Sequence, residues 1–330
     1  RIRRIMLPEG IKRIGTAAFA CLHLQQVNIP SSVREIGASA FAYDNSLDCP
    51  IVIPEGVEEI KSYTFHYCHR LRTAPVLPQS LKKIGAAAFS YTDFDGMVFP
   101  SGLVSIGEVA FLRNGLSEIR LPESCTEIGS SAFENSYKVK EIILPESLDE
   151  IPWSAFYMCD NLEYISIPGN IKTIGEAAFE CCFKLKRVDF SEGITEIGKD
   201  AFSLGAIDSL CIPANVLSIG DGCFTNNDGL KAVCSKAENP PMIDSGSVAF
   251  DAVGATLYVP VGSKEKYIGQ SGWNVFAKVQ EQNFESSGVD GVTAGSAADS
   301  DAAVYDLTGR RVDTPQSGRI YIVKGRKVLF

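Results

Sequence analysis

Few residues in this chain are of a type and spacing that do chemistry. Three histidines occur in 330 residues, and His66-Tyr67-Cys68-His69 is the cluster that could suggest a metal. Its spacing matches no zinc signature. Cys68 also stands three residues after Phe65, as Cys159 and Cys182 stand three residues after Phe156 and Phe179. Ten cysteines could serve disulfides or packing, and at these recurring positions a small apolar thiol facing inward is the simpler use. Cys159 and Cys182, at matching positions of consecutive repeats, are near enough for one disulfide to be geometrically allowed.

The carboxylates Glu35, Glu58, Glu59, Glu127, Glu150 and Glu196 recur at outward positions beside Arg34, Lys82 and Lys83. That arrangement reads as a solvated charge ladder rather than an acid/base pair. No Gly-x-Ser-x-Gly, phosphate-binding loop, His-Glu-x-x-His or calcium loop is present, and Asn226-Asn227-Asp228-Gly229 reads as a turn. The sequence therefore assigns no catalytic, cofactor-binding or metal residues and does not read as an enzyme.

What positions these residues is a repeat. The phenylalanines 19, 41, 65, 89, 111, 133, 156, 179, 202 and 224 recur every 22 to 24 residues. A period in the twenties marks a leucine-rich repeat solenoid. Each phenylalanine lies eleven residues after a proline, as Pro8 precedes Phe19 and Pro213 precedes Phe224, with Ser191 the one replacement. All variation in length falls in the other half of the coil.

An apolar-x-apolar pair such as Val27/Ile29 or Ile165/Ile167 precedes the proline and predicts a strand with one buried face. The proline ends that strand, since it cannot donate to a ladder. An apolar residue three positions on and the isoleucine of Ile-Gly predict a second, shorter strand. Gly-x-x-Ala-Phe then predicts one short helical turn that seats the ring inside. The glycine is replaced by Lys61 and Pro152 in two coils, and proline cannot adopt positive φ. Close packing is thus the better reason for it than a left-handed backbone. The fold class expected is an α/β leucine-rich repeat solenoid, mostly β, with about ten coils, parallel strand ladders and short helical turns.

Residues 1–230 are expected to form the solenoid and 231–282 its C-terminal cap, with Phe250, Trp273 and Phe276. Residues 283–303, rich in Ser, Gly, Ala and Asp, read as a flexible linker, and 304–330 as a small β tail. No run approaches the ~20 apolar residues of a membrane helix. A net charge of −9 opposes nucleic acid binding, which needs a basic face. Arg1–Pro8 already matches the strand before Pro30, so the chain is expected to begin within a coil and any targeting segment to lie upstream.

The pattern Ile-Pro-x-x-Val-x-x-Ile-Gly-x-x-Ala-Phe at Ile29–Phe41, continued as Phe-x-x-Cys-x-x-Leu at Phe156–Leu162, resembles the BspA-like (Treponema-type) leucine-rich repeat of bacterial surface proteins. The likeness extends over residues 1 to about 235, and the tail resembles those of secreted Bacteroidetes proteins. It implies a non-catalytic secreted or cell-surface module, adhesin-like, binding a host extracellular-matrix or cell-surface protein. A polysaccharide-associated surface binder is the alternative. A monomer is expected.

Strand alternation points the residues two and four before each proline outward. Val52, Val76 and Val98 follow one another there, between polar Asn28 and Arg120, and Tyr164 is the one aromatic among these positions. Such an exposed apolar stripe with a polar rim is the form of an interaction patch. Val52, Val76, Val98, Arg120 and Tyr164 are thus the candidate partner-binding residues.

Overall fold

The fold was taken from a computed structural model, which describes residues 2–243, 246–252 and 254–284 and the backbone of four strands between 292 and 329. The chain divides into two compact units, Arg1–Gln282 and Asn283–Phe330.

In the first unit most coils contribute two strand segments. The segment before the proline pairs in parallel with its equivalent in the next coil, as Arg4–Met6 with Gln26–Asn28 and Tyr164–Ser166 with Arg187–Asp189. The Ile-Gly segments form a second parallel ladder, for example Glu59–Ile60, Lys83–Ile84, Ser105–Ile106 and Glu127–Ile128. A tight turn joins the two ladders, because the proline carbonyl accepts the N–H three residues on, as from Val33 to Pro30 at 3.0 Å. That fixed turn explains the invariant distance from proline to phenylalanine.

The third side of the coil differs from the expected helical turn. The residues two before and two after each phenylalanine have positive φ, as at Ser39 (56°), Tyr43 (63°), Val109 (48°) and Arg113 (54°). A helix cannot pass through alternating left-handed residues, and the segment is a chain of turns instead. Its backbone bonds the next coil: the N–H groups of Ser39, Phe41 and Tyr43 donate to the carbonyls of Ser62, Thr64 and His66 at 3.0, 2.9 and 2.8 Å. The Ile-Gly glycines lie where coils touch. A Cβ on Gly37 would stand 2.5 Å from the Gly15 carbonyl carbon, and one on Gly198 2.6 Å from the Glu176 nitrogen. Close approach is the reason for these glycines.

Inside, the phenylalanines form one stack. From Phe19 to Phe250 successive ring centroids lie 5.2 to 5.6 Å apart and nearly parallel. Phe250 is a rung beyond the ten legible in the sequence. The strands Ser209–Ile212, Ala232–Ser235, Thr256–Pro260 and Lys278–Gln282 continue the ladder in parallel to the end of this unit. Trp273 tilts across Phe250 at 5.3 Å, with Tyr267 edge-on at 5.0 Å, and ends the stack. Lys264–Gly269 is the one α-helix among the described residues.

In the second unit Val292–Ala294 pairs in parallel with Arg326–Leu329, which continues antiparallel to Ile320–Val323 and then Val304–Tyr305. The strand Val292–Ala294 falls within the stretch 283–303 that was expected to be a linker. The rest of that stretch from 285 lies outside the described residues.

Candidate functional site

The row of side chains two before the proline runs along the strand ladder and faces out. Val52, Val76 and Val98 are 56, 59 and 84 % exposed. Val52 and Val76 are opposite one another in register, and Thr73 opposite Asp95 places Val98 next in line. Regular strands are absent here because Pro50 and Pro75 remove backbone donors and Gly96 takes φ of +69°. The ladder is reduced to single bridges, with Ile53 N–H donating to the Val76 carbonyl and Val76 N–H to that of Ile51, both at 2.9 Å.

The polar flanks are pinned. Asn28 bonds both the N–H and the carbonyl of Leu7, at 2.7 and 3.0 Å. Arg120 pairs with Glu118 and with Glu141 at 2.6 Å, and Ile143 lies opposite it in register, partly exposed. Tyr164 is not part of this stripe. It lies on the neighbouring outward row three coils after Val98, where its hydroxyl donates to Asp189 at 3.0 Å and the Arg187 guanidinium lies over its ring at 5.3 Å. The structure therefore gathers the valines with Arg120 at their edge and leaves Tyr164 in a separate polar knot.

The charge ladder is present in part: Glu35 is held by Arg13 at 2.9 Å and Lys61 at 2.5 Å, and Glu59 by Lys83 at 3.8 Å. The Lys61 hydrogen bond, with help from the Arg13 charge, holds the Glu35 carboxyl below the usual range. Lys61 is also one of the two residues that replace the repeat glycine, and this reach back to the preceding coil is its use.

The cysteines after the phenylalanines serve packing and hydrogen bonding. Cys68, Cys159 and Cys182 are buried and donate to the carbonyls of Phe41, Phe133 and Phe156, at 3.2, 3.7 and 3.4 Å. Asn227 does the same to the Phe202 carbonyl at 2.9 Å. Burial pushes the Cys125 thiol up to about 11 and those of Cys68 and Cys182 higher still, so none offers a thiolate nucleophile. Cys159 and Cys182 remain free thiols, contrary to the bridge the spacing allowed. The disulfide joins Cys211 to Cys234 instead, which the strand register sets directly opposite on the outward row.

His66 and His69 do not gather a metal site. Cys68 is buried, whereas the His66 Nδ1 meets the Ser90 hydroxyl at 2.5 Å. Among the described residues no group of three or more His, Cys, Asp or Glu side chains could hold a metal ion. His66 instead belongs to an aromatic cluster on the turn side that the sequence reading missed. Tyr43, Tyr67 and Tyr91 stack with centroids 5.3 and 4.2 Å apart, and His66 stands edge-on to them and to Tyr63. The signal was the triplet Phe-x-Tyr in three consecutive coils. Burial and nearby His69 hold the His66 imidazole below the ordinary histidine range.

A parallel solenoid with ladders on two sides, a ring stack inside and independent outward rows is a scaffold of the leucine-rich repeat class. The chain belongs to the family described as BspA type leucine rich repeat region, whose model matches six copies over residues 1–117 and 104–231. No curated protein matches. Among solved structures, a leucine-rich repeat protein from Bacteroides ovatus is 26% identical with a TM-score of 0.62, over 85% of this chain and 69% of that one. A leucine rich cell surface protein from Faecalibacterium prausnitzii is 22% identical with a TM-score of 0.44, over 86% and 89%. The pneumococcal vaccine antigen PcpA is 20% identical with a TM-score of 0.48, over 83% and 71%.

Proposed function

We propose that this chain is a non-catalytic, adhesin-like binding module that acts at the cell surface or after secretion and docks a protein partner on its strand face. The observation that carries the reading is the run of three consecutive exposed valines, bounded by the pinned polar side chains of Asn28 and Arg120. Aliphatic side chains on a flat ladder offer area and no hydrogen bonds of their own, which suits the desolvated centre of a protein interface. Membership of the BspA-type repeat family supports a protein-binding scaffold. An extracellular setting agrees with the Cys211–Cys234 disulfide, since such bonds persist in oxidising surroundings. No helix among the described residues is long and apolar enough to cross a membrane. We read the partner as a host matrix or cell-surface protein, the module as a monomer, and residues 231–282 as its closing cap.

Binding to immobilised fibronectin, laminin and collagen tests this. Val76→Asp should weaken retention by at least about tenfold, the size of one buried contact, and leave the melting temperature unchanged. Undiminished retention would exclude the valine stripe as the docking surface, and unfolding would show that Val76 is structural.

A further inference from the structure

We propose that the tyrosine and histidine face formed by Tyr43, Tyr63, Tyr67, Tyr91 and His66 is a second, separate binding site, and that it takes a neutral carbohydrate chain. This goes beyond the protein-docking reading and stands on a different side of the coil.

The chemistry of the two faces separates their ligands. The valine row offers only aliphatic surface. On the tyrosine face Tyr63 offers a ring outside the stack, while Tyr43, Tyr67 and Tyr91, stacked on one another, offer ring edges and hydroxyl tips. Together these complement a sugar, apolar on its C–H faces and hydroxyl-rich at its edges. Tyr43 and Tyr63 are each 45 % exposed. Tyr63 is flanked along its row by Ser39 and Ala87, the equivalent residues of the adjoining coils, and neither side chain is large enough to cover its ring.

The imidazole adds a directed polar group. The Ser90 hydroxyl donates to the Ala87 carbonyl at 3.0 Å, so its oxygen accepts from His66 Nδ1 at 2.5 Å. That tautomer leaves Nε2 as an acceptor suited to a hydroxyl ligand.

Charge argues for a neutral ligand. None of the five side chains carries a formal charge while His66 is neutral, and the neighbouring cation, Arg113, lies over the Tyr91 ring at 6.0 Å. In later coils the row of His66 carries Glu134 and Glu180, and the row of Tyr63 carries Asp200. The five side chains are therefore an uncharged patch, bordered at its Tyr91 edge by Arg113 and Glu134, on a chain of net charge −9. Because the tyrosines recur from coil to coil along the solenoid, the ligand that uses them all is a chain rather than a single sugar.

Affinity electrophoresis of the full chain in gels containing laminarin, hydroxyethylcellulose or galactomannan tests the assignment, with acidic polygalacturonate as the contrast. At least one neutral polymer should retard the wild type and polygalacturonate should not. Tyr43→Ala/Tyr63→Ala should weaken binding by at least about tenfold. Tyr43→Phe/Tyr63→Phe keeps the rings and the fold, removes the hydroxyls, and should weaken it by roughly threefold to tenfold. Val76→Asp should bind the polymer as the wild type does, which separates this site from the protein-docking stripe. The proposal fails if no neutral polymer retards the wild type, or if the alanine double variant binds undiminished. It fails equally if the alanine variant loses retention on the matrix proteins while the wild type ignores every neutral polymer, since the face would then be a protein surface.

Discussion

Two aromatic stacks run side by side through the early coils, two residues apart in sequence. Phe41, Phe65 and Phe89 stack inside at 5.3 and 5.5 Å, and Tyr43, Tyr67 and Tyr91 stack outside at 5.3 and 4.2 Å. The spacing of both follows from the coil repeat and needs no further cause. Their extent does not: the inner stack runs unbroken from Phe19 to Phe250, whereas the outer one exists in three coils and gives way to Arg113 and Asn135. A row that every coil carries is a condition of folding, because no single coil has enough core alone. A row that a few coils carry on the surface is free of that condition, and its chemistry reports on use. The same reasoning singles out the valines, which end at Arg120.

The distinction breaks if the two stacks matter equally to stability. Phe179→Ala removes a fully buried ring between two stacked neighbours and should cost roughly 3–5 kcal/mol, read from denaturant melts. Tyr67→Ala removes a half-buried ring from the outer stack and should cost about 1 kcal/mol or less. A loss below about 1 kcal/mol for Phe179→Ala would place that ring outside the core. A loss for Tyr67→Ala as large as for the phenylalanine would make the outer stack a folding element and remove the argument for its use in binding.

Much of this architecture was legible because the templated half of the coil is governed by short-range rules. Proline ends the strand and starts the turn, alternation fixes the buried face, and the glycine marks close contact whatever its φ. The turn side was misread as helical because positive φ at residues such as Ala87, Val109 and Leu204 has no mark in residue type: left-handed backbone is expected of Gly or Asn. The rung at Phe250 was hidden because it follows Phe224 by 26 residues, beyond the period of the rest. Of the surface, the valines were legible from strand alternation. The tyrosines were not, since outward positions were sought only on the strands. The disulfide escaped for a related reason: Cys211 and Cys234 meet on the outward row, while attention to cysteine fell on the inward positions.

The smallest effect concerns what replaces the tyrosines further along the turn side. Glu180 and Asp200 sit there with Glu176 and Asp221 nearby, and both have carboxyl pKa values raised, first by burial. For Glu180 the next causes are Asp200 and Glu176. For Asp200, Lys199 at 3.8 Å opposes the shift, and Asp221 and Glu176 add to it. A carboxyl raised in the folded state holds its proton more tightly there than in the unfolded chain. Its contribution to stability is thus full at low pH and is lost as pH rises through the folded value. Asp200→Asn keeps a side chain that tolerates the φ of 53° at this position and removes one charge. It should raise stability at pH 7 by roughly half a kcal/mol or less, the size usual for a surface charge. The gain should fade as pH falls through the raised folded value, where the wild-type carboxyl itself takes up a proton. Thermal melts of both proteins across that range read the difference directly. A variant less stable than wild type at pH 7 would show that the Lys199 pairing outweighs the repulsion, and that this stretch is balanced in charge as the tyrosine face is neutral.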